Sequence, residues 1–189
     1  QIDHSIMNKV LEMTDKYDYS KYTAWDVRNV LSKDSLTTED LAVLLSPAAE
    51  PMLEQMAQRA KTETAKHFGN TVCMFTPLYI ANYCENYCVY CGFNCSNKIK
   101  RGKLSMEEIE AEYKTISETG LREILLLTGE SKTASPVEYI ADAVRLAKKY
   151  FSTIGIEVYP MNSDEYALIK EAGADFVSVY QETYNPVKY

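Results

Sequence analysis

Apolar residues in the first 70 positions recur at the three- and four-residue spacing of amphipathic helices. A short helix is predicted to begin after Thr37, because a threonine followed three positions later by an acid, here Asp40, forms a capping box. A longer helix is predicted from about Pro51 to Gly69, where a glycine ends it. The apolar residues of the two helices are Leu41, Leu44 and Leu45 in the first, and Met52, Met56, Ala60 and Phe68 on one face of the second. Residues 1–70 are therefore expected to form a helical N-terminal region.

From residue 71 onward, short apolar runs alternate with amphipathic helical segments. The predicted strands are Thr71–Ala81, Ile124–Thr128, Thr153–Tyr159 and Asp175–Tyr180. Strands that alternate with helices pair in parallel through right-handed crossovers. Residues 71–189 are therefore predicted to form an α/β domain, with its functional loops at the carboxyl ends of the strands.

Each helix between these strands has its own start signal. Ser105 and Glu108 form a capping box before the first helix. Ser135 is the expected N-cap of the second helix, with Pro136 at its first position, and Asn162 precedes the third. Cys73 falls within the first predicted strand and is expected to be a small core residue.

The four strand and helix pairs account for only half of a closed eight-stranded barrel, which needs about 250 residues. Four strands alone would also leave two parallel edges unpaired. The predicted fold is a (β/α) barrel of TIM-barrel type, of which residues 71–189 form the N-terminal half. The chain is accordingly expected to be truncated relative to a longer protein.

Composition narrows the class of protein and of ligand. The apolar fraction of 46% and the charged fraction of 25% are ordinary for a globular protein. A net charge of −7 argues against nucleic acid as a partner, because phosphate backbones bind basic surfaces. No apolar run approaches the roughly 20 residues that span a bilayer, so no membrane association is expected. Five cysteines, three of them close together, favour metal ligation in a reducing cytoplasm over disulfide bonds.

Cys84, Cys88 and Cys91 form a C-x3-C-x2-C triplet directly after the first predicted strand. Three thiolates can bind three irons of a cubane cluster, and the fourth iron then remains open to a small molecule that receives an electron. The alternative is a zinc site with a fourth ligand such as Cys95 or His67.

Polar residues also stand at the carboxyl ends of the later strands. Gly129 and Glu130 follow the second strand, Glu157 ends the third, and Gln181 and Glu182 follow the fourth. The carboxyl ends of parallel strands share one edge of the sheet, so these residues are expected to lie near the cysteines. The alternatives are that Glu157 points outward between strand and helix, and that residues 181–182 are a solvated loop.

Two further groups of residues stand close to the triplet. The basic run from Lys98 to Arg101 either attracts a carboxylate or is a solvated loop, and it is left outside the predicted site. Several aromatic side chains either line the site or pack in the core; they are Phe75, Tyr79, Tyr83 and Tyr87.

The cysteine triplet followed by a barrel pattern resembles the radical S-adenosylmethionine (SAM) enzymes. The resemblance implies that the three cysteines bind a [4Fe-4S] cluster and that the amino and carboxylate groups of SAM bind its fourth iron. It further implies that Tyr90 lies near the adenine and that Gly129 and Glu130 are the family's SAM-binding Gly-Glu pair. Glu157 is the expected partner of a ribose hydroxyl.

Segments outside the triplet, among them Phe68–Val72, Tyr90–Phe93 and Val179–Tyr184, resemble the 2-iminoacetate synthase family of tyrosine lyases. The resemblance implies cleavage of the Cα–Cβ bond of L-tyrosine to 2-iminoacetate and p-cresol for thiamine thiazole synthesis. It implies thiazole synthase and a one-electron donor such as flavodoxin or ferredoxin as partners, with Gln181 and Glu182 near the substrate. The chain departs from the family pattern at Cys95 and Asn185.

Two other functions stay open at this point. One is the related tyrosine lyase that matures iron-only hydrogenase and carries the cleavage products on to cyanide and carbon monoxide. The other is a metal-stabilised binding module without catalysis.

Overall fold

The computed structural model of the chain describes residues 5–179. These residues belong to two compact units, which divide between Val72 and Cys73. Each unit has an apolar core of its own. No helix among the described residues is long and apolar enough to cross a bilayer.

The first unit is helical. Its α-helices are α1 (Ser5–Lys16), α2 (Ala24–Leu31), α3 (Thr38–Leu44) and α4 (Leu53–Phe68), and two 3-10 helices span Tyr19–Lys21 and Pro47–Met52. The buried residues of its small core are Val27, Val30, Val43, Ala49 and Met52. The capping box predicted at the start of α3 is confirmed, with Thr37 and Asp40 bonded reciprocally. Asp40 also binds Lys33, and this hydrogen bond is the main cause that lowers the pKa of the Asp40 carboxyl to about 2.

The expected apolar faces of this unit are only partly right. Met52 is buried, but the side chain of Phe68 is 69% exposed, and Leu41 and Leu45 are exposed as well. The core is made where α2, α3 and the second 3-10 helix meet; Val43 of α3 is buried in it, and the predicted Leu44 and Met56 pack against it. Among the described residues, the last turn of α4 contributes no side chain to this small core.

The second unit is a four-stranded parallel sheet with helical crossovers. Its strands are β1 (Phe75–Ala81), β2 (Glu123–Thr128), β3 (Thr153–Glu157) and β4 (Phe176–Val177), and its helices are α5 (Met106–Glu118), α6 (Val137–Ala147) and α7 (Ser163–Ala172). The strands lie in the order β1-β2-β3-β4, and each neighbouring pair is parallel. The topology is that of the predicted half barrel.

The two faces of this sheet differ in character. Residues paired across parallel strands point to the same face, and Leu78, Leu126 and Ile156 are such a row. This row belongs to the core beneath α5, α6 and α7. The next row, formed by Tyr79, Leu127 and Glu157, points to the opposite face, which is the inner face of a barrel. The predicted site lies on this inner face, at the carboxyl ends of the strands.

Strand β1 contains an irregularity just before it ends. Its register with β2 shifts between Tyr79 and Ala81, so that Ile80 is an extra residue without a partner. Side chains normally alternate between the faces, but Ile80 and Ala81 are both buried. The shift therefore has the effect of a β-bulge, which redirects the chain as it leaves the sheet.

Three local predictions are wrong in detail. Strand β1 begins at Phe75 rather than residue 71, and Cys73 therefore lies before the sheet and is exposed. The N-cap of α6 is Pro136, with φ −62° and ψ 158°, and not Ser135. Ser135 belongs to the preceding turn, where its N–H donates to Ser131 O at 2.8 Å and its side chain is fully buried.

Strands β3 and β4 are also shorter than predicted. The third was expected to continue to Tyr159 and the fourth to span Asp175–Tyr180. Beyond β4, Ser178 N still donates to Ile156 O at 2.9 Å, so the pairing continues as single hydrogen bonds. Tyr180 lies outside the described residues.

Candidate functional site

The predicted site is built on the segment 82–102, here named the cysteine loop, which joins β1 to α5. Its two ends are bonded to each other through Asn82. Asn82 Nδ2 donates to Lys100 O at 2.9 Å, and Asn82 Oδ1 accepts from Gly102 N at 2.7 Å. The two ends of the loop therefore lie next to each other, and the loop is closed by these hydrogen bonds.

Polar side chains inside the cysteine loop bind its backbone carbonyls. Asn94 Nδ2 donates to Cys88 O at 2.9 Å, and Asn97 Nδ2 donates to Cys91 O at 3.3 Å. Arg101, expected to belong to a basic run outside the site, also points inward to backbone carbonyls. The shape of the loop thus depends on side-chain hydrogen bonds rather than on regular secondary structure.

The structure brings most of the predicted residues to one cavity. This cavity has a volume of about 270 Å³ and lies at the carboxyl ends of the strands. The predicted residues that line it are Cys84, Cys91, Gly129, Glu130 and Glu157. Cys88 and Tyr90 lie in the same loop but do not line this cavity, and residues 181–182 lie outside the described part of the chain.

Gly129 lies directly against the backbone at the start of the cysteine loop. A Cβ atom at this position would be 2.3 Å from Tyr83 O and 3.0 Å from Cys84 Cβ. Gly129 N also donates to Ala81 O at 3.1 Å, which keeps the two backbones together. A residue without a Cβ is therefore required where β2 ends, because the backbone that carries the first cysteine lies against this position.

Glu130 joins the second strand's loop to the cysteine loop. Its Oε2 accepts a hydrogen bond from Asn86 Nδ2 at 2.6 Å, and its backbone oxygen accepts from Glu85 N at 2.9 Å. Within the described residues, Oε1 of Glu130 accepts no hydrogen bond. One oxygen of this carboxylate orients the side chain, and the other is available to a cationic ligand on the cavity side.

Glu157 points into the cavity, so the alternative of an outward position between strand and helix is excluded. It pairs with Leu127 in the sheet register and is half-buried. Its carboxylate has neither an ion pair nor a hydrogen bond with any described residue. A half-buried carboxylate without a partner is costly, so Glu157 is suited to accept hydrogen bonds from a bound molecule.

Aromatic residues form part of the cavity wall. The rings of Tyr79 and Phe93 meet edge to face, with centroids 5.1 Å apart and planes at 84°. On the far side, Tyr159 donates from its hydroxyl to Ser135 O at 2.6 Å, and burial raises the pKa of Tyr159 to about 12. Of the four aromatic residues singled out from the sequence, Tyr79 alone lines this cavity.

Some residues of the site carry no signal in the sequence. Asn86 stands in the spacer between the first two cysteines, and its partner Glu130 is 44 positions away. Cys95, which departs from the family pattern, is half-buried and shares a hydrogen bond with Tyr87 that raises the pKa of that tyrosine. Asn94 and Asn97 have a weak local signal, because asparagine in a loop commonly bonds nearby backbone.

The donor set fits an iron–sulfur cluster. All three cysteines of the triplet are free and half-buried, so their sulfurs can be shielded without a disulfide competing for them. Within residues 5–179, no three Cys, His, Asp or Glu side chains converge as ligands of one metal ion. A cubane cluster does not require this, since each thiolate binds a different iron.

The sequence is similar to those of two bacterial 2-iminoacetate synthases. The chain is 44% identical over 167 residues to a 2-iminoacetate synthase of Escherichia coli K12, which is 88% of this chain and 44% of that enzyme. The corresponding enzyme of Salmonella typhimurium LT2 is 42% identical over the same shares of the two chains. The chain thus spans under half the length of these curated relatives.

A solved structure shares the fold. The crystal structure of HydG, a maturase of the [FeFe]-hydrogenase, superposes with a TM-score of 0.77 and 28% identity. The match covers 92% of this chain and 39% of that one. It supports the assignment of the second unit as the N-terminal half of a larger barrel.

The family comparison agrees with this geometry. Residues 78–188 match the sequence model of the family described as "Radical SAM superfamily". This range contains the cysteine loop and every strand end that lines the cavity. The triplet, the parallel half barrel and this match together identify the chain as a member of the radical SAM superfamily.

Proposed function

We propose that the chain is the N-terminal half of a radical SAM lyase that cleaves the Cα–Cβ bond of L-tyrosine, giving 2-iminoacetate and p-cresol. The observation that carries this proposal is the 44% identity to a 2-iminoacetate synthase over 88% of the chain. A second enzyme of the same name, at 42% identity, supports it. The product 2-iminoacetate would serve thiamine thiazole synthesis.

The cofactors of the radical SAM superfamily, and hence of this chain, are a [4Fe-4S] cluster and SAM. Cys84, Cys88 and Cys91 are proposed to bind three irons of the cluster. When bound, the two cofactors together supply a carbon-centred radical that abstracts a hydrogen atom. The proposed origin of that hydrogen is the amino group of the substrate tyrosine.

The remaining residues of the site are proposed to orient the cofactor and the substrate. Glu130, fixed by Asn86, would accept hydrogen bonds from the ammonium group of SAM through its second oxygen. Glu157 would accept from ribose hydroxyls, which would give this half-buried carboxylate its missing partner. Tyr90 is proposed to lie near the adenine.

The cavity wall has a second proposed task, the exclusion of water. An imine is hydrolysed readily and a radical is quenched readily, so the reaction needs a dry chamber. Tyr79, Phe93 and Leu127 give the inner face an apolar lining beside Glu157. Gln181 and Glu182, outside the described residues, are proposed to contact tyrosine.

The partners and location are part of the same proposal. Thiazole synthase would receive the imine, and a flavodoxin or ferredoxin would donate the electron. A cytoplasmic location is proposed, and the five free cysteines, all within the described residues, support it, because thiols persist in a reducing compartment.

Anaerobic reconstitution of the full-length protein tests the proposal. With SAM, a reductant and L-tyrosine, the expected products are 5′-deoxyadenosine, p-cresol and 2-iminoacetate, the last detected as glyoxylate after hydrolysis. Cys88→Ala is the control and should yield none of them. Formation of 5′-deoxyadenosine with another amino acid but not with tyrosine would contradict the substrate assignment.

A second candidate is the tyrosine lyase of hydrogenase maturation, which the TM-score of 0.77 to HydG favours. It starts from the same bond cleavage but carries the products on to cyanide and carbon monoxide. Cyanide is therefore measured in the same assay. Formation of cyanide would contradict 2-iminoacetate synthesis as the function and support hydrogenase maturation.

A binding module without catalysis differs in its metal. The lyase predicts about four irons and four sulfides per chain and a broad visible absorption after reconstitution. A colourless protein that carries zinc would support the binding module and contradict both lyase candidates.

A further inference from the structure

The cysteine loop is organised by polar side chains that point inward. Within residues 82–102, Asn94 is the one residue that is buried, so the loop has no apolar core of its own. Four side chains, Asn82, Asn94, Asn97 and Arg101, donate hydrogen bonds to its backbone instead. The carbonyls that accept from them belong to Asn82, Cys88, Cys91, Gly92, Phe93, Asn94, Asn97 and Lys100.

Arg101 makes the contacts of longest range among these. Its Nη1 donates to Asn82 O at 2.7 Å and to Phe93 O at 2.8 Å, and its Nη2 donates to Asn94 O at 2.8 Å. One planar guanidinium thus joins the start of the loop to the segment just after the third cysteine, Cys91. A lysine cannot reproduce this, because its ammonium is a single point with no rigid fork.

Arg101 also brings a positive charge to the loop. It forms no ion pair with any Asp or Glu of the described residues, although the whole chain has a net charge of −7. Its carbonyl partners are dipoles and leave the full charge in place. A cluster bound by three thiolates is negatively charged, so a neighbouring cation stabilises it, and stabilises it more after one electron is added.

We propose that Arg101 is a positioning residue that sets the conformation of the cysteine loop before the cluster arrives and that favours reduction of the bound cluster. The proposal rests on the proposed function, because it assumes that Cys84, Cys88 and Cys91 bind the cluster. Arg101 does not line the cavity of the site, and it acts through the carbonyls that it binds.

The first test measures retention of the cluster in the reconstituted protein. Arg101→Gln and Arg101→Lys should both release iron to a chelator at least about tenfold faster than wild type, since one charge-assisted hydrogen bond already corresponds to such a factor. Lys100→Gln is the matched control and should behave as wild type, because the Lys100 side chain is exposed and only its carbonyl is bonded in the loop.

The second test separates charge from shape. In the fraction of protein that keeps a cluster, Arg101→Gln should have a lower midpoint potential than wild type, and Arg101→Lys should keep the wild-type potential. Iron release at the wild-type rate from Arg101→Gln would overturn the proposal. So would wild-type retention in Arg101→Lys, because charge alone would then suffice.

A third measurement keeps the proposal testable if cluster loading fails in every Arg101 variant. Amide hydrogen exchange in the protein without a cluster should be slow at Cys91, Asn94 and Cys95 in wild type and fast in Arg101→Lys, while β2 stays equally protected in both. Equal exchange across the loop in the two proteins would contradict the proposal.

Failure of the proposed function gives a different result. Cys88→Ala that still retains four irons would show that the triplet is not the cluster site. Cys88→Ala without iron, together with unaltered iron in Arg101→Gln, would refute the role of Arg101 alone.

Discussion

The sheet of the second unit and the cysteine loop attached to it are stabilised in different ways. Ile124 and Leu126 of β2 and Ile156 of β3 are fully buried in a core shared with three helices. The loop has one buried residue, Asn94, and it depends on a few hydrogen bonds from side chains to backbone. Apolar burial is spread over many contacts, whereas the shape of the loop depends on a small number of specific donors.

Because of this difference, the sheet determines the stability of the unit, and the cysteine loop carries the residues proposed for its chemistry. The sheet can retain its core when the loop changes, because no residue of the loop belongs to the core's buried cluster. The loop cannot retain its shape when the sheet is lost, because its ends are bonded to β1 and to the turn after β2. Substitutions should therefore fall into two classes, those that remove activity alone and those that remove both.

Cys88→Ala should produce the largest effect, a complete loss of SAM cleavage. The substitution removes one of three proposed iron ligands, while the free energy of unfolding should change by less than about 0.5 kcal/mol because the residue lies outside the core. Formation of 5′-deoxyadenosine and thermal unfolding of the protein before reconstitution measure the two effects. Formation of 5′-deoxyadenosine at the wild-type rate would refute this assignment.

Leu126→Ala should affect both regions. Leu126 is fully buried, and such a truncation in a core costs about 2–5 kcal/mol of unfolding free energy. Val89→Ala is the matched control in the loop, where the side chain is 83% exposed, and it should cost under about 0.5 kcal/mol. Urea unfolding followed by circular dichroism checks both, and equal costs would contradict the division between the two regions.

Gly129→Ala should disturb the boundary between the two regions. The new Cβ would lie 2.3 Å from Tyr83 O, and backbone cannot move aside as a side chain can. We expect a cost of about 1–3 kcal/mol, typical of overpacking, together with reduced iron content. Gly92→Ala is the control within the loop, since no atom lies within 4 Å of its Cβ position. Equal iron content in the two variants would contradict the account of Gly129.

Asp40 in the first unit should give the smallest effect, one that depends on pH. Its pKa is about 2 in the folded protein against an ordinary 3.8, so its contribution to stability is complete above about pH 4 and is lost as the pH falls toward 2. Trp25, the one tryptophan, lies in α2 of this unit and reports its unfolding by fluorescence. Stability should fall over this range in wild type and remain flatter in Asp40→Asn.

This pH dependence sharpens the comparison with the loop. The side-chain donors that organise the cysteine loop are amides and a guanidinium, and none of them is a carboxylate. Asp40 also binds backbone, at Thr37 N, but does so with a carboxylate. An equally steep acid dependence in Asp40→Asn would show that another group is responsible.

The order and type of the elements could be predicted from the sequence because their signals are local. The capping boxes at Thr37 and Ser105 each involve residues three positions apart, and both are present. The error at Ser135 has a physical reason. A serine before a proline resembles an N-cap, but the preceding turn from Ser131 buries it instead.

The site could be predicted only in part, for the same reason. The strand-end positions of Cys84, Gly129 and Glu157 follow from topology, because parallel strands end at one edge. The contacts of Asn86 with Glu130, and of Arg101 with the loop carbonyls, join residues that no local pattern relates. Lys98–Arg101 looked like a solvated run because a sequence records charge and not the direction of a side chain.

The extra residue in β1, Ile80, affects the side of the sheet toward which the cysteine loop is directed. Each position along a strand alternates between the two sides of the sheet, so the side on which the chain emerges depends on whether an odd or even number of residues precedes the exit. The chain reaches Cys84 with Ile80 as an unpaired extra residue, and Cys84 lines the cavity. Deleting Ile80 would preserve every cysteine and every spacing in the triplet, yet we expect it to reverse the face on which the chain leaves the sheet and so to move Cys84 away from the cavity. The orientation of the triplet then depends on the number of residues that precede it in β1, which no cysteine motif encodes.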